Sequence, residues 1–391
     1  MIEYRALTSA EFEQFWALDR YAFARQYHRG RYTPEVIAQL RGLFVHGELV
    51  AQLQIMPFQM QAGNGALSVG AIGSVATWPQ HRRRGYAEQL LRAACTELRE
   101  QGAVLALLYP FRHEFYHRLG WALAGERRLV QPTPGQLRAF QAVAGTYVAA
   151  GPAQIEELDT IYRGALRGRY GPLVRDQSWW REDVLHTWGG EPYYAFIWRD
   201  DQGRGRSYLI YRLERHETGD RIVCRDIVAL DPTARAQLFV FLARHADQIV
   251  AAEIPTPVDA PLNALLPAPV PTTVVPLFMQ RVLDVAQLLT EYPFTATTTG
   301  HLTIQIADEW LPDNAGRYRI EWQQGKATVT RLGPGEADLA CTSATLSQLL
   351  SRYLRPRTAV AFGLLAAPQR QALLLLEAAL DGLPPFCADY W

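Results

Sequence analysis

The sequence predicts an α/β chain made of two successive mixed-sheet units and a third, smaller α+β unit. Three observations carry this reading. At 391 residues the chain exceeds what one typical hydrophobic core covers. An order of hairpin, strand, loop, helix and buried strand occurs within 1–147 and again, more loosely, within 148–285. A run rich in proline then leads into an alternating strand, a hairpin and two helical segments over 286–391.

The first unit opens its pattern at Leu43. Phe44-Val45 leads to a turn at His46-Gly47-Glu48, and Leu49 to Met60 is mostly apolar and extended. A turn at Gly63-Asn64-Gly65 feeds a second strand, Ala66 to Thr77, which Pro79 ends because proline cannot donate to a ladder. Ala87, Leu90, Leu91, Ala94 and Leu98 then fall at helical spacing, with Gly102 as the stop. Ala103 to Tyr109 is continuously apolar, as a strand covered on both faces would be. After Pro110, a short helix carries Phe115 to Leu119 toward a turn at Gly120.

In the second unit, Tyr193 to Trp198 and Tyr208 to Arg212 flank the turn signal Asp200-Asp201-Gln202-Gly203. Ile222 to Leu230 reads as a strand, Asp231-Pro232-Thr233 as a helix start, and Ile249 to Ile254 as a returning strand. Ala234, Leu238, Phe241 and Leu242 share one face of the helix between them. The connection into that helix has no glycine and a single arginine, Arg235, so this unit reads as a divergent copy without a phosphate cradle. In the third unit Leu302 to Ile306 alternates as a half-buried strand. Arg317 to Trp322 and Ala327 to Thr330 pair about Gln324-Gly325, and helices are expected over Ser343–Tyr353 and Gln369–Leu380.

Lys+Arg and Asp+Glu balance at 39 each, which argues against nucleic acid or an anionic membrane as the main partner. Cys95, Cys224, Cys341 and Cys387 lie far apart, so reduced thiols are expected rather than a disulfide framework. The nine histidines show no paired ligand spacing beside carboxylates, and no metal is expected. The N-terminus has no signal-peptide pattern, and the most apolar stretch, Ala359 to Leu380, is broken by Pro368-Gln369-Arg370-Gln371. A cytoplasmic location is expected by elimination.

The chemistry concentrates at Arg82-Arg83-Arg84-Gly85-Tyr86-Ala87. A diphosphate needs converging backbone N–H donors and nearby positive potential, and a helix N-terminus supplies both. Gly85 allows close backbone approach, Ala87 keeps the first turn uncrowded, and the arginines can pair with phosphate. The same run also fits a solvated helix start with a charge cluster. The preceding strand Ile72 to Thr77 and the buried strand after the helix favour the phosphate reading.

This loop resembles the acetyl-CoA signature of the GNAT superfamily. With Val75-Ala76-Thr77-Trp78-Pro79-Gln80-His81, Tyr109-Pro110-Phe111 and Phe115-Tyr116-His117-Arg118-Leu119-Gly120-Trp121, the chain looks like the enhanced-intracellular-survival (Eis) acetyltransferases. That resemblance implies a catalytic GNAT domain over 1–147, a degenerate GNAT-like domain over 148–285 and a sterol-carrier-like domain over 286–391. It implies acetyl-CoA as co-substrate, with Val75, Ala76 and Thr77 along the pantetheine arm and Arg82, Arg83, Arg84, Gly85, Tyr86 and Ala87 at the phosphates.

The expected reaction is direct attack of an amine on the acetyl thioester, which needs a base and an acid. Ala66 to Trp78 contains neither Asp nor Glu, so the base must come from elsewhere. The resemblance implies the α-carboxylate of Trp391 as base and the hydroxyl of Tyr116 as acid. Each has a structural alternative: Tyr116 as aromatic core and Trp391 as a merely packed terminus. The resemblance further implies an aminoglycoside, polyamine or lysine-type acceptor and a homo-oligomer, a hexamer in that family. Tyr390 stands where the Eis type has a glutamate, which fits a less cationic or more aromatic acceptor. A carrier that binds CoA or lipid without catalysis, through the C-terminal domain, is the competing function.

Overall fold

The structure, a computed structural model, describes residues 1–23, 32–186, 192–215, 217 and 219–391. In chain order the strands begin with β1 (Ile2–Ala6), β2 (Leu40–Val45), β3 (Glu48–Ala62), β4 (Gly65–Thr77), β5 (Leu105–Leu108) and β6 (Ala122–Leu123). There follow β7 (Glu126–Val130), β8 (Gly145–Ala150), β9 (Tyr170–Leu173), β10 (Tyr194–Asp200), β11 (Gly205–Glu214), β12 (Arg221–Ala229) and β13 (Ala251–Pro257). The last are β14 (Thr272–Pro276), β15 (Met279–Val282), β16 (Thr299–Ala307), β17 (Gly316–Gln323), β18 (Lys326–Leu332), β19 (Leu339–Thr342) and β20 (Leu365–Ala366).

The chain forms two compact units: residues 1–125, 278–382 and 390–391 make the first, and residues 126–277 and 383–389 the second. These spans differ from the divisions at 147 and 285 read from the sequence. The first unit holds a sheet in the order β1-β2-β3-β4-β5-β15-β6. The run β1 to β4 is antiparallel, β4 and β5 are parallel, and β15 is antiparallel to both β5 and β6. β15 thus joins the first sheet from far along the chain.

The Tyr86–Glu100 helix covers this sheet. Leu90, Leu91, Ala94 and Leu98 are buried as the periodicity requires, and the neighbouring Cys95 is buried with them. A methyl group at Gly70 would collide with Leu98, so glycine lets the helix lie close on β4. The Phe12–Phe23 helix, which the pattern reading left unassigned, buries Phe12, Phe15 and Leu18.

The same unit contains a second sheet, β18-β17-β16-β19-β20. Leu302, Ile304 and Ile306 are buried along β16 while their neighbours are not, matching the alternation in sequence. Trp310 meets the Tyr86–Glu100 helix here: its indole N–H donates to Glu88 at 3.2 Å, and Arg92 donates to its carbonyl oxygen. The expected helix 343–353 stops at Leu350, an unexpected short helix follows at Pro356–Ala361, and the helix expected from Gln369 runs Arg370–Ala379.

The second unit repeats the mixed plan in the order β14-β7-β13-β12-β11-β10-β8, with β12 and β13 parallel. Its Pro232–Ala243 helix is buried from Gln237 to Leu242 without interruption, rather than along the single face the sequence suggests. Arg175 lies fully buried between Asp226, at 2.6 Å, and Asp389, at 2.9 Å. Asp389 also accepts hydrogen bonds from the Trp179 indole and the Tyr162 hydroxyl. No helix among the described residues is long and apolar enough to cross a membrane.

Candidate active site

The site is organised by the parting of two parallel strands. β4 and β5 pair from Val69–Leu105 to Ile72–Leu108, and the ladder ends there. At the same level β4 bulges: its register against β3 shifts between Gln52 and Gln54, and Ser74 takes φ +50°. Nothing in the sequence marked Ser74, because a bulge is a backbone event that residue pattern records weakly. Val75, Ala76 and Thr77 follow the bulge, so the β5-facing edge of this stretch has no ladder partner among the described residues. An extended amide-bearing chain could pair with that edge.

Past Thr77 the chain turns through Pro79–His81 and enters the helix at Gly85. Arg82 is extended and its Nε donates to the Thr77 carbonyl at 3.2 Å, which ties the loop to the strand end. Arg83 has φ +60° and Gly85 φ +79°, both left-handed. Both lie in the turn that leads the chain into the helix. Gly85 is the N-cap and offers no side-chain oxygen, which leaves those amides and the helix dipole for an anion. Arg82, Arg83, Arg84 and Gly85 are exposed, Tyr86 and Ala87 half-buried. The one acid in the first turn, Glu88, is drawn to Trp310 and Arg92 instead.

The second unit has the equivalent helix start and fills it. Asp231 caps the Pro232–Ala243 helix, accepting from the Ala234 amide at 2.8 Å, and its carboxylate pairs with Arg206 at 2.7 Å. The first unit's helix start has no such side-chain cap.

A cavity of about 70 Å³ opens beside the β4 bulge, lined by Gly73, Ser74, Val75, Tyr109, Phe111, Tyr116, Tyr390 and Trp391 among others. It brings together the two residues the sequence reading put in catalytic roles, Tyr116 and Trp391. Tyr116 comes from the His113–His117 helix, two residues earlier than the expected helix start at Phe115. The carbonyl of Tyr116 accepts from the Leu119 and Trp121 amides, closing the turn at Gly120 that the sequence indicated. Its ring is 1% exposed, packed against Phe111, Phe115 and Trp121. Burial holds its hydroxyl well above the ordinary tyrosine range. The core reading and the cavity-lining reading of Tyr116 thus both describe its surroundings.

Trp391 packs on Tyr109 with ring centroids 4.9 Å apart and on Phe278 at 5.6 Å, while Tyr390 packs on Tyr109 at 4.4 Å with the rings tilted by 37°. The C-terminal residue is therefore held by rings. Tyr109, quoted in the sequence only as part of a run, is the hub of this cluster. Its position two residues before Phe111 and just after the buried strand was the available signal.

Splayed parallel strands, a bulge, and a basic glycine turn opening a helix define an acetyltransferase of the GNAT class. Comparison with known proteins agrees. Residues 3–124 and 171–282 each match an Acetyltransferase (GNAT) domain, and residues 285–388 match a Sterol carrier protein domain. The chain is a GNAT-family N-acetyltransferase with two GNAT domains and a sterol carrier protein domain. It is 25% identical to an uncharacterized N-acetyltransferase of Streptomyces coelicolor over 300 residues, 72% of this chain and 71% of the relative. Among solved structures it resembles a GCN5-related N-acetyltransferase from Anabaena variabilis, with TM-score 0.91 and 22% identity over all of both chains. Eis1 from Mycobacterium abscessus shares the fold, with TM-score 0.79 and 22% identity over all of both chains. GNAT enzymes in general use acetyl-CoA.

Proposed function

We propose that this enzyme transfers acetyl from acetyl-CoA to an amine in the Eis-like manner, with Tyr116 as acid and the terminal carboxylate of Trp391 as base. The supporting observation is the convergence of three features in one unit. These are an uncapped helix start at Gly85, an unpaired strand edge at Val75 to Thr77, and a cavity shared by Tyr116 and Trp391. The residues fit the co-substrate: helix amides and Arg82 to Arg84 would hold phosphates, and the β4 edge would pair with the amides of the pantetheine arm.

The amine nitrogen attacks the thioester carbonyl carbon; a C–N bond forms and the C–S bond breaks. The Trp391 carboxylate takes the proton from nitrogen. Tyr116 gives its proton to the departing sulfur, and burial keeps the phenol protonated at neutral pH beforehand.

The cavity lining supports a reading of the acceptor. No Asp or Glu side chain is among the described residues that line the cavity, whereas Phe23, Tyr32, Tyr109, Phe111, Tyr390 and Trp391 are. Aromatic faces attract a single ammonium and an apolar body, so within the aminoglycoside, polyamine and lysine-type classes the site favours an amine of low total charge. By the same resemblance we propose a homo-oligomer, with a hexamer as the reference. Thiol release from acetyl-CoA, measured with amines graded from aromatic monoamines to polycations, tests this: turnover should depend on the amine and be highest for the monoamines. Amine-independent thiol release would refute it.

A further inference from the structure

We propose that the second unit carries a binding site of its own, for an apolar molecule ending in one carboxylate. The sheet parts here as it does in the first unit. β12 and β13 pair from Arg221–Ala251 to Val223–Glu253, after which β13 pairs only on its other side, with β7. A cavity of about 440 Å³ lies in this opening, within the ~300–1,000 Å³ usual for small-molecule sites. Much of its lining is apolar, with Ile227, Leu238, Phe239, Ile254 and Leu262 among the residues that border it.

One polar feature selects the ligand. Arg169 and Asp259 also line the cavity but satisfy each other through two hydrogen bonds of 3.0 and 3.1 Å. That leaves Arg235, exposed and without an ion-pair partner among the described residues, as the uncompensated charge at this opening. An anionic end facing Arg235 with an apolar body along the wall fits this arrangement. A phosphate-bearing nucleotide does not, because the adjacent helix start is taken by Asp231. The first unit's ligand is thus excluded from the second unit, and a different one is admitted.

Titration calorimetry on the full chain with decanoate, decanol and decylamine tests this. Decanoate should saturate one site and bind about tenfold more tightly than decylamine. Arg235→Gln should remove the preference of decanoate over decanol. Ala165→Trp, placed on the half-exposed wall, should weaken decanoate about tenfold or more by filling the cavity, with an unchanged melting profile. Should that variant melt early, Ala260→Trp fills the cavity from the opposite wall and replaces it. Absence of saturable decanoate binding, equal affinity for all three head groups, or binding indifferent to the tryptophan variants would each overturn the proposal. The last outcome would place the ligand elsewhere in the chain.

Discussion

Tyr116 and the four thiols show the same physical cause acting on different chemistry. A phenol buried among Phe111, Phe115 and Trp121 loses its proton reluctantly, so it stands protonated at neutral pH. Tyr116→Phe should lower kcat about 100-fold with little change in the Michaelis constant for acetyl-CoA, as general-acid contributions of 10²–10⁴ imply. The linked stability has a definite sign. Because the folded pKa lies above the unfolded value near ~10, this group leaves stability unchanged below that pH and lowers it as pH climbs past. Tyr116→Phe should therefore flatten the alkaline loss of stability in a pH series of denaturant melts. Cys95 and Cys341 are pushed up to about 12 by burial, and Cys224 and Cys387 also rise. Iodoacetamide at pH 8 should label none of the four until the chain is unfolded, as read by intact mass. Arg175 sits between two carboxylates with all three side chains fully buried, so Arg175→Met should cost about 3–5 kcal/mol and show as an early melt.

At the scale of elements, the two units differ at their helix starts. Gly85 leaves its amides to a ligand; Asp231 keeps them. Placing a carboxylate on the first should reproduce the second: Gly85→Asp should raise the CoA dissociation constant about tenfold by like-charge repulsion at the helix dipole. Gly85→Asn carries nearly the same backbone strain without the charge, and calorimetry should find it much milder. Much of this was legible in the sequence. The helix from Tyr86, the turns at Gly63 and Gly120, and the hairpins of the second and third units follow from periodicity and turn residues. The returning strand was placed at Ile249 to Ile254 but runs from Ala251 to Pro257, because Pro255 and Pro257 sit where β12 no longer asks for donors. β14 went unseen inside the proline-rich run for a related reason: prolines close to both ends of Thr272–Pro276 mask a short edge strand. The bulge at Ser74 and the hub role of Tyr109 depend on pairing across the sheet, which no local pattern encodes.

For the molecule as a whole, two units of one plan are expected to answer CoA differently. Saturating CoA should slow hydrogen exchange along 75–89 and leave 229–238 unchanged, because only the first helix start is open. Slowed exchange at both would contradict the account of Asp231. A ligand held at 100 times its dissociation constant should add about 2.7 kcal/mol to whichever unit binds it.

The strand β15 has a consequence for how the chain is made. It lies between β5 and β6 although a whole other sheet is synthesised before it. A ribosome that has just released residue 147 has delivered every residue of the phosphate loop, yet β5 still lacks a neighbour on one side. Until residue 282 emerges, that strand presents open backbone groups to whatever is nearby. An isolated 1–147 fragment should accordingly be recovered as aggregates, and adding a peptide spanning 277–284 during refolding should restore some of it to solution.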